Sequence, residues 1–113
     1  MITYQLDILL TEPVRLSIGK LGEFDFPAGR YVYTGSALRN IEARIARHLC
    51  SEKTLKWHID YLLASPQASI IKVMQYATPE CEMNHYTAGR ILITGFGSSD
   101  CHAGCGSHLK YLT

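Results

Sequence analysis

The chain of 113 residues is 47% hydrophobic and 19% charged, proportions that suit one small folded domain and exclude a disordered chain. No apolar run approaches the roughly 20 residues that span a bilayer, and no basic, apolar and small-residue succession marks a secretory leader. The expectation is therefore a single domain over residues 1–113, cytoplasmic and with no membrane partner. A net charge of +1 excludes nucleic-acid binding by bulk charge and leaves only a local patch.

Tyr4 to Leu10 reads as a strand, Glu12-Pro13 as a turn and Val14 to Ile18 as a returning strand. Gly19, Gly22, Pro27 and Gly29 punctuate a looped stretch before a strand around Tyr31, Val32 and Tyr33. Gly35-Ser36 is the expected turn and N-cap of a helix whose Leu38, Ile41, Ile45 and Leu49 recur at helical spacing as an apolar stripe. Arg44, Arg47 and His48 lie beside that stripe. Thr54 can cap a second helix with Leu55, Ile59, Leu62 and Leu63 inward, and Pro66 ends it. Ile70 to Tyr76 is a strand, Pro79 or Glu80 opens a short helix to about Ala88, and Arg90 to Thr94 is a last strand. From Gly95 a Gly-, Ser- and Cys-rich loop runs to Ser107–Leu112. With no repeat or linker, strands and helices share one α+β packing.

Four cysteines, Cys50, Cys81, Cys101 and Cys105, could form disulfides, but a reducing compartment favours thiols used for packing or metal. Cys101, Cys105 and His108 are the ligand types of a Zn²⁺ site, without the second separated Cys pair of a standard zinc module but with Cys50 or His58 able to join in space. Plain thiols capping a Gly-rich loop are the alternative. Arg39, Arg44, Arg47, His48, Lys53 and Lys56 concentrate positive charge in one short region, a footprint for phosphate. Arg44 can grip two phosphate oxygens and stays charged, and His48 follows one turn later. Tyr4 or Tyr33 could serve as a base if a neighbouring cation or metal lowered a phenol pKa from about 10, although a strand tyrosine ordinarily packs its ring and bonds its tip. One helix-borne carboxylate, Glu80 or Glu82, suits Mg²⁺ or Mn²⁺, which keep most of their waters.

Tyr33-Thr34-Gly35 followed by Arg44 and His48 resembles the second half of the GIY-YIG nuclease core, with Thr in place of Ile, and Ile2-Thr3-Tyr4 resembles the first half with its glycine replaced. Ile18 to Gly22, Trp57 to Tyr61, Glu80 to Glu82 and Gly95 to Cys101 are similar to a compact prokaryotic branch of that superfamily, found alone or fused to endonuclease III. The resemblance implies a small α+β domain with a three-stranded or slightly larger antiparallel or mixed sheet flanked by helices. It implies endonuclease chemistry on DNA ahead of RNA, possible work in DNA repair, and catalytic roles for Tyr4, Tyr33, Arg44 and His48. It leaves Tyr31 to packing and places the metal on Glu82, with Glu80 as substitute. Arg39, Arg47, Lys56 and His58 would contact substrate, and a protein partner or a second copy could add affinity. The competing reading is a non-catalytic nucleic-acid-binding or zinc-stabilised module with the same fold.

Overall fold

The computed structural model describes residues 2–50, 54–97 and 105–113. Four antiparallel strands form the main sheet in the order β5, β1, β4, β6: β1 is Ile2–Leu10, β4 Gly29–Ala37, β5 Ala68–Tyr76 and β6 Leu109–Tyr111. A separate ribbon pairs β2, Val14–Ile18, with β3, Gly22–Phe26. Three helices flank the sheet: α1 Ile41–Leu49, α2 His58–Leu63 and α3 Glu80–Tyr86. This is the α+β architecture that the sequence implies.

The period of two along β1 divides the molecule. Tyr4, Leu6, Ile8 and Leu10 are buried on one face and stand opposite Gly35, Tyr33, Tyr31 and Gly29 of β4. That face forms the core with Ile41 of α1, Ile59 and Leu62 of α2, and Ile18, Phe26 and Phe96. The opposite face carries Thr3, Gln5 and Thr34, also buried, beneath α3. Gln5 Nε2 donates to the hydroxyls of Thr34 and Thr87 at 3.1 and 2.6 Å. Lys110 Nζ donates to the Asn84 and Thr87 carbonyls at 2.9 and 3.1 Å, tying the end of α3 to β6.

Several local expectations change. Gly35 and Ser36 do not turn the chain; they continue β4 in register with Tyr4 and Thr3. The helix instead begins after Asn40, which adopts φ 51° and accepts from the Ala43 amide, a conformation Asn tolerates. Leu38 therefore lies outside the helix, and both Leu38 and Leu49 are exposed; His48 is the residue that α1 buries with Ile41. The stretch after Gly19 is a 3₁₀ turn and β3 rather than a loop. α2 starts at His58, with Leu55 exposed. Arg90 to Thr94 makes only a bridge from Arg90 to Tyr111. Among the described residues no helix is long and apolar enough to cross a membrane.

Candidate functional site

The site forms where β4 outruns β6. β6 pairs with Tyr31, Val32 and Tyr33, and the Thr34 amide still donates to the His108 carbonyl at 3.0 Å. Two residues further the β4 edge is open to side chains, and Arg44 Nη1 of α1 donates to the Ser36 carbonyl at 3.0 Å. The Arg44 guanidinium also pulls the Tyr4 phenol toward its ionised form. The same hydroxyl lies 2.6 Å from His48 Nε2.

With the His48 proton on Nδ1, Nε2 accepts from the Tyr4 hydroxyl; with the proton on Nε2, the ring donates to it. Burial pushes the Tyr4 phenol up to about 12, against the opposing pull of Arg44, and burial pushes the Tyr33 phenol still higher. At both tyrosines desolvation outweighs the pull of the guanidinium. His48 is 2% exposed and is enclosed by the rings of Tyr4, Tyr33 and Trp57 at 5.4, 6.0 and 5.6 Å.

Of the two glutamates, Glu80 is the one that joins this group. Its carboxylate feels His108, Ser36 and Arg44, and His108 Nδ1 lies 2.8 Å from Oε2. Burial raises the Glu80 carboxyl, but these neighbours outweigh it and hold the group below the usual carboxylate range. Glu82 is exposed, and Tyr86 Oη stands 3.4 Å from its carboxylate. Two residues along a helix turn a side chain by about 200°, so Glu80 and Glu82 cannot share a site. Of the two candidate metal ligands, Glu80 is the one placed beside His108 and Arg44.

The cationic residues divide in the same way. Arg44, Arg47 and Lys56 place their charges 4.8, 4.1 and 5.8 Å from the Trp57 ring centre. Arg47 is committed to structure: both terminal nitrogens reach the Asp60 carboxylate at 2.9 Å, and Nη2 also donates to the Thr54 carbonyl. Asp60 further accepts from the Lys56 and Trp57 amides, which starts α2. Arg47, expected at the substrate, is thus held by a buried carboxylate. His58 is likewise occupied, with Nδ1 accepting from the Gly97 amide at 2.9 Å and its ring on Phe96. Arg39 and Lys56 are exposed beside the site's two cationic elements.

A second cluster adjoins Glu80. Ligand atoms of Cys81, Cys105 and His108 lie within 4.8 Å of one another and could hold a metal ion. Cys50, Cys81 and Cys105 form no disulfide, and Cys50 is exposed. Cys81 joins the expected Cys105 and His108 here; Cys101, like Lys53, lies outside the described residues. Cys81 gave no spacing signal because it is 24 residues upstream of Cys105 and reaches it only through the packing of α3 on the sheet. A tetrahedral shell with Zn–S bonds near 2.3 Å sets ligands about 3.8 Å apart, so the three donors close by roughly an ångström on such an ion.

Fold and site define a small antiparallel α+β domain with a Tyr-His-Arg-Glu group on a sheet edge beside a Cys-Cys-His cluster. The chain belongs to the family described as "Domain of unknown function DUF123", whose model matches residues 3–113. No curated protein and no solved structure matches it.

Proposed function

We propose that this protein is a GIY-YIG-like, metal-dependent endonuclease that hydrolyses phosphodiesters of nucleic acid, DNA ahead of RNA, in the cytoplasm and in the service of DNA repair. The observation that carries the reading is the Tyr4 hydroxyl, 2.6 Å from His48 Nε2 and within the electrostatic reach of both Arg44 and Glu80. Those are the phosphate clamp, proton acceptor and anionic ligand that the reaction requires.

In this reading the attacking water forms the new P–O bond and gives its proton to the Tyr4 oxygen, while the Tyr4 proton passes to His48 Nε2. The concerted transfer avoids a free phenolate. Arg44 neutralises charge on the phosphoryl oxygens, and the P–O bond to the departing sugar oxygen breaks, that oxygen taking a proton from solvent. One carboxylate and open coordination suit Mg²⁺ or Mn²⁺ at Glu80, where the ion supplies Lewis-acid polarisation of the phosphoryl group. Tyr33 walls the site beside His48, and Arg39 and Lys56 meet flanking phosphates. The thiolate and imidazole donors of the second cluster suit Zn²⁺. A protein partner or second copy would supply the affinity that a single small patch lacks.

A second reading has its own support. Tyr4 and His48 are 1% and 2% exposed and already bond one another, as structural groups do in a non-catalytic nucleic-acid-binding or zinc-stabilised module. A cleavage screen with Mg²⁺ and Mn²⁺ over branched, damaged and single-stranded DNA separates the two. The endonuclease reading requires cleavage that Arg44→Ala lowers by about 10² to 10³; binding without cleavage on every substrate overturns it.

A further inference from the structure

We infer that the Cys81–Cys105–His108 metal site and the Glu80 site are one coupled unit, with His108 as the positioning residue that lets the thiolate-bound metal set the affinity of the hydrolytic one. The inference rests on the reading that Glu80 holds the hydrolytic cation.

Three observations support the coupling. His108 belongs to the Cys-Cys-His cluster and also stands 2.8 Å from Glu80 Oε2 through Nδ1. Its backbone is fixed on both sides, the amide donating to Phe96 O at 2.8 Å and the carbonyl accepting from Thr34 N at 3.0 Å. The ring is 1% exposed. The third observation is covalent: Glu80 and Cys81 are consecutive on α3, so one helical turn sends a carboxylate to one site and a thiol to the other. Any shift of α3 that opens the cluster also displaces Glu80.

The physical consequence follows from imidazole chemistry. A metal takes one ring nitrogen as a lone-pair donor, which leaves the other as an N–H facing its acceptor. A Zn²⁺ held by Cys81, Cys105 and His108 would fix which ring nitrogen carries the proton, and so what Nδ1 offers to Oε2 2.8 Å away. Without Zn²⁺ the tautomer and the position of Cys81 are both released. Losing such an outer partner typically weakens a metal site by about 10- to 100-fold. The cluster therefore acts as a control on hydrolysis: thiol oxidation or zinc loss would lower activity without touching a catalytic side chain.

The test measures Mn²⁺ binding by electron paramagnetic resonance on the full chain, with zinc content determined in parallel. Zinc-loaded wild type should hold one tightly bound Zn²⁺ and bind Mn²⁺ in a manner lost in Glu80→Gln. Wild type stripped of zinc should bind Mn²⁺ about 10-fold or more weakly and recover on adding one equivalent of Zn²⁺; Cys81→Ser should match the stripped protein. Circular dichroism confirms that each sample is folded, and strip-and-refill of the wild type decides the matter if Cys81→Ser does not fold. Failure to retain or bind zinc overturns the inference. So does unchanged Mn²⁺ affinity after stripping, which leaves the role of Glu80 intact. Mn²⁺ binding that survives Glu80→Gln overturns the inference together with the reading on which it rests.

Discussion

Tyr4 lies so close to its strand partner Gly35 that a Cβ on Gly35 would fall 2.6 Å from both Cζ and the hydroxyl oxygen of Tyr4. The glycine of the Tyr-Thr-Gly tripeptide thus serves no turn. It makes room for the ring whose tip meets His48. Gly35→Ala should force the buried Tyr4 ring aside, costing about 1 to 3 kcal/mol as overpacking and breaking the bond to His48. Urea denaturation checks the first effect and the His48 ring resonances the second; unchanged stability with an undisturbed His48 environment would contradict the arrangement.

The Arg47–Asp60 pair predicts a separation of stability from chemistry. Asp60 is wholly buried and Arg47 about a quarter exposed, so Arg47→Ala takes from a buried carboxylate the guanidinium that pairs with it. The expected loss is about 3 kcal/mol. At temperatures where the variant stays folded, cleavage should fall far less than for Arg44→Ala. Comparable losses of activity in the two folded variants would place Arg47 on the substrate after all.

Tyr4 makes the fold sensitive to alkali in a defined direction. Its folded pKa of about 12 stands above the unfolded value of about 10. Between these values the unfolded chain gives up the proton first, so stability is complete below pH 10 and falls as pH rises toward 12. The Tyr4 contribution to that loss is of order 2 kcal/mol. Tyr4→Phe should therefore unfold less steeply with pH above 10, followed by circular dichroism across an alkaline series. An identical slope in the variant would show that Tyr4 does not hold its proton more tightly in the fold.

Much of the frame was legible because local pattern and tertiary demand agree. The strand Val14–Ile18 and the helix opening at Glu80 fall where turn residues and periodicity put them. The errors arose where tertiary pairing overrides local chemistry. Gly35-Ser36 looks like a turn and cap, yet β1 extends far enough to pair with both. β3 was hidden by glycines that in fact bound it. In the site, Arg44, His48, Tyr4 and Tyr33 were named by motif and spacing and are brought together. Choosing between Glu80 and Glu82 needed the rotation of α3 about its axis, and seeing Cys81 beside Cys105 needed its packing on the sheet; neither is written in the linear sequence.

The central claim is that Glu80, gathered with Arg44 and the Tyr4–His48 pair, serves a hydrolytic centre. Its most direct test is single-turnover cleavage of DNA in Mg²⁺ and Mn²⁺ by Glu80→Gln and Glu82→Gln, with circular dichroism on each protein. The first exchange removes a carboxylate charge at constant shape within the site; the second makes the same exchange on the exposed side of the same helix. The account predicts that Glu80→Gln lowers the rate by about 10² or more and that Glu82→Gln cleaves as the wild type does. Full activity in folded Glu80→Gln, or a loss confined to Glu82→Gln, would contradict it.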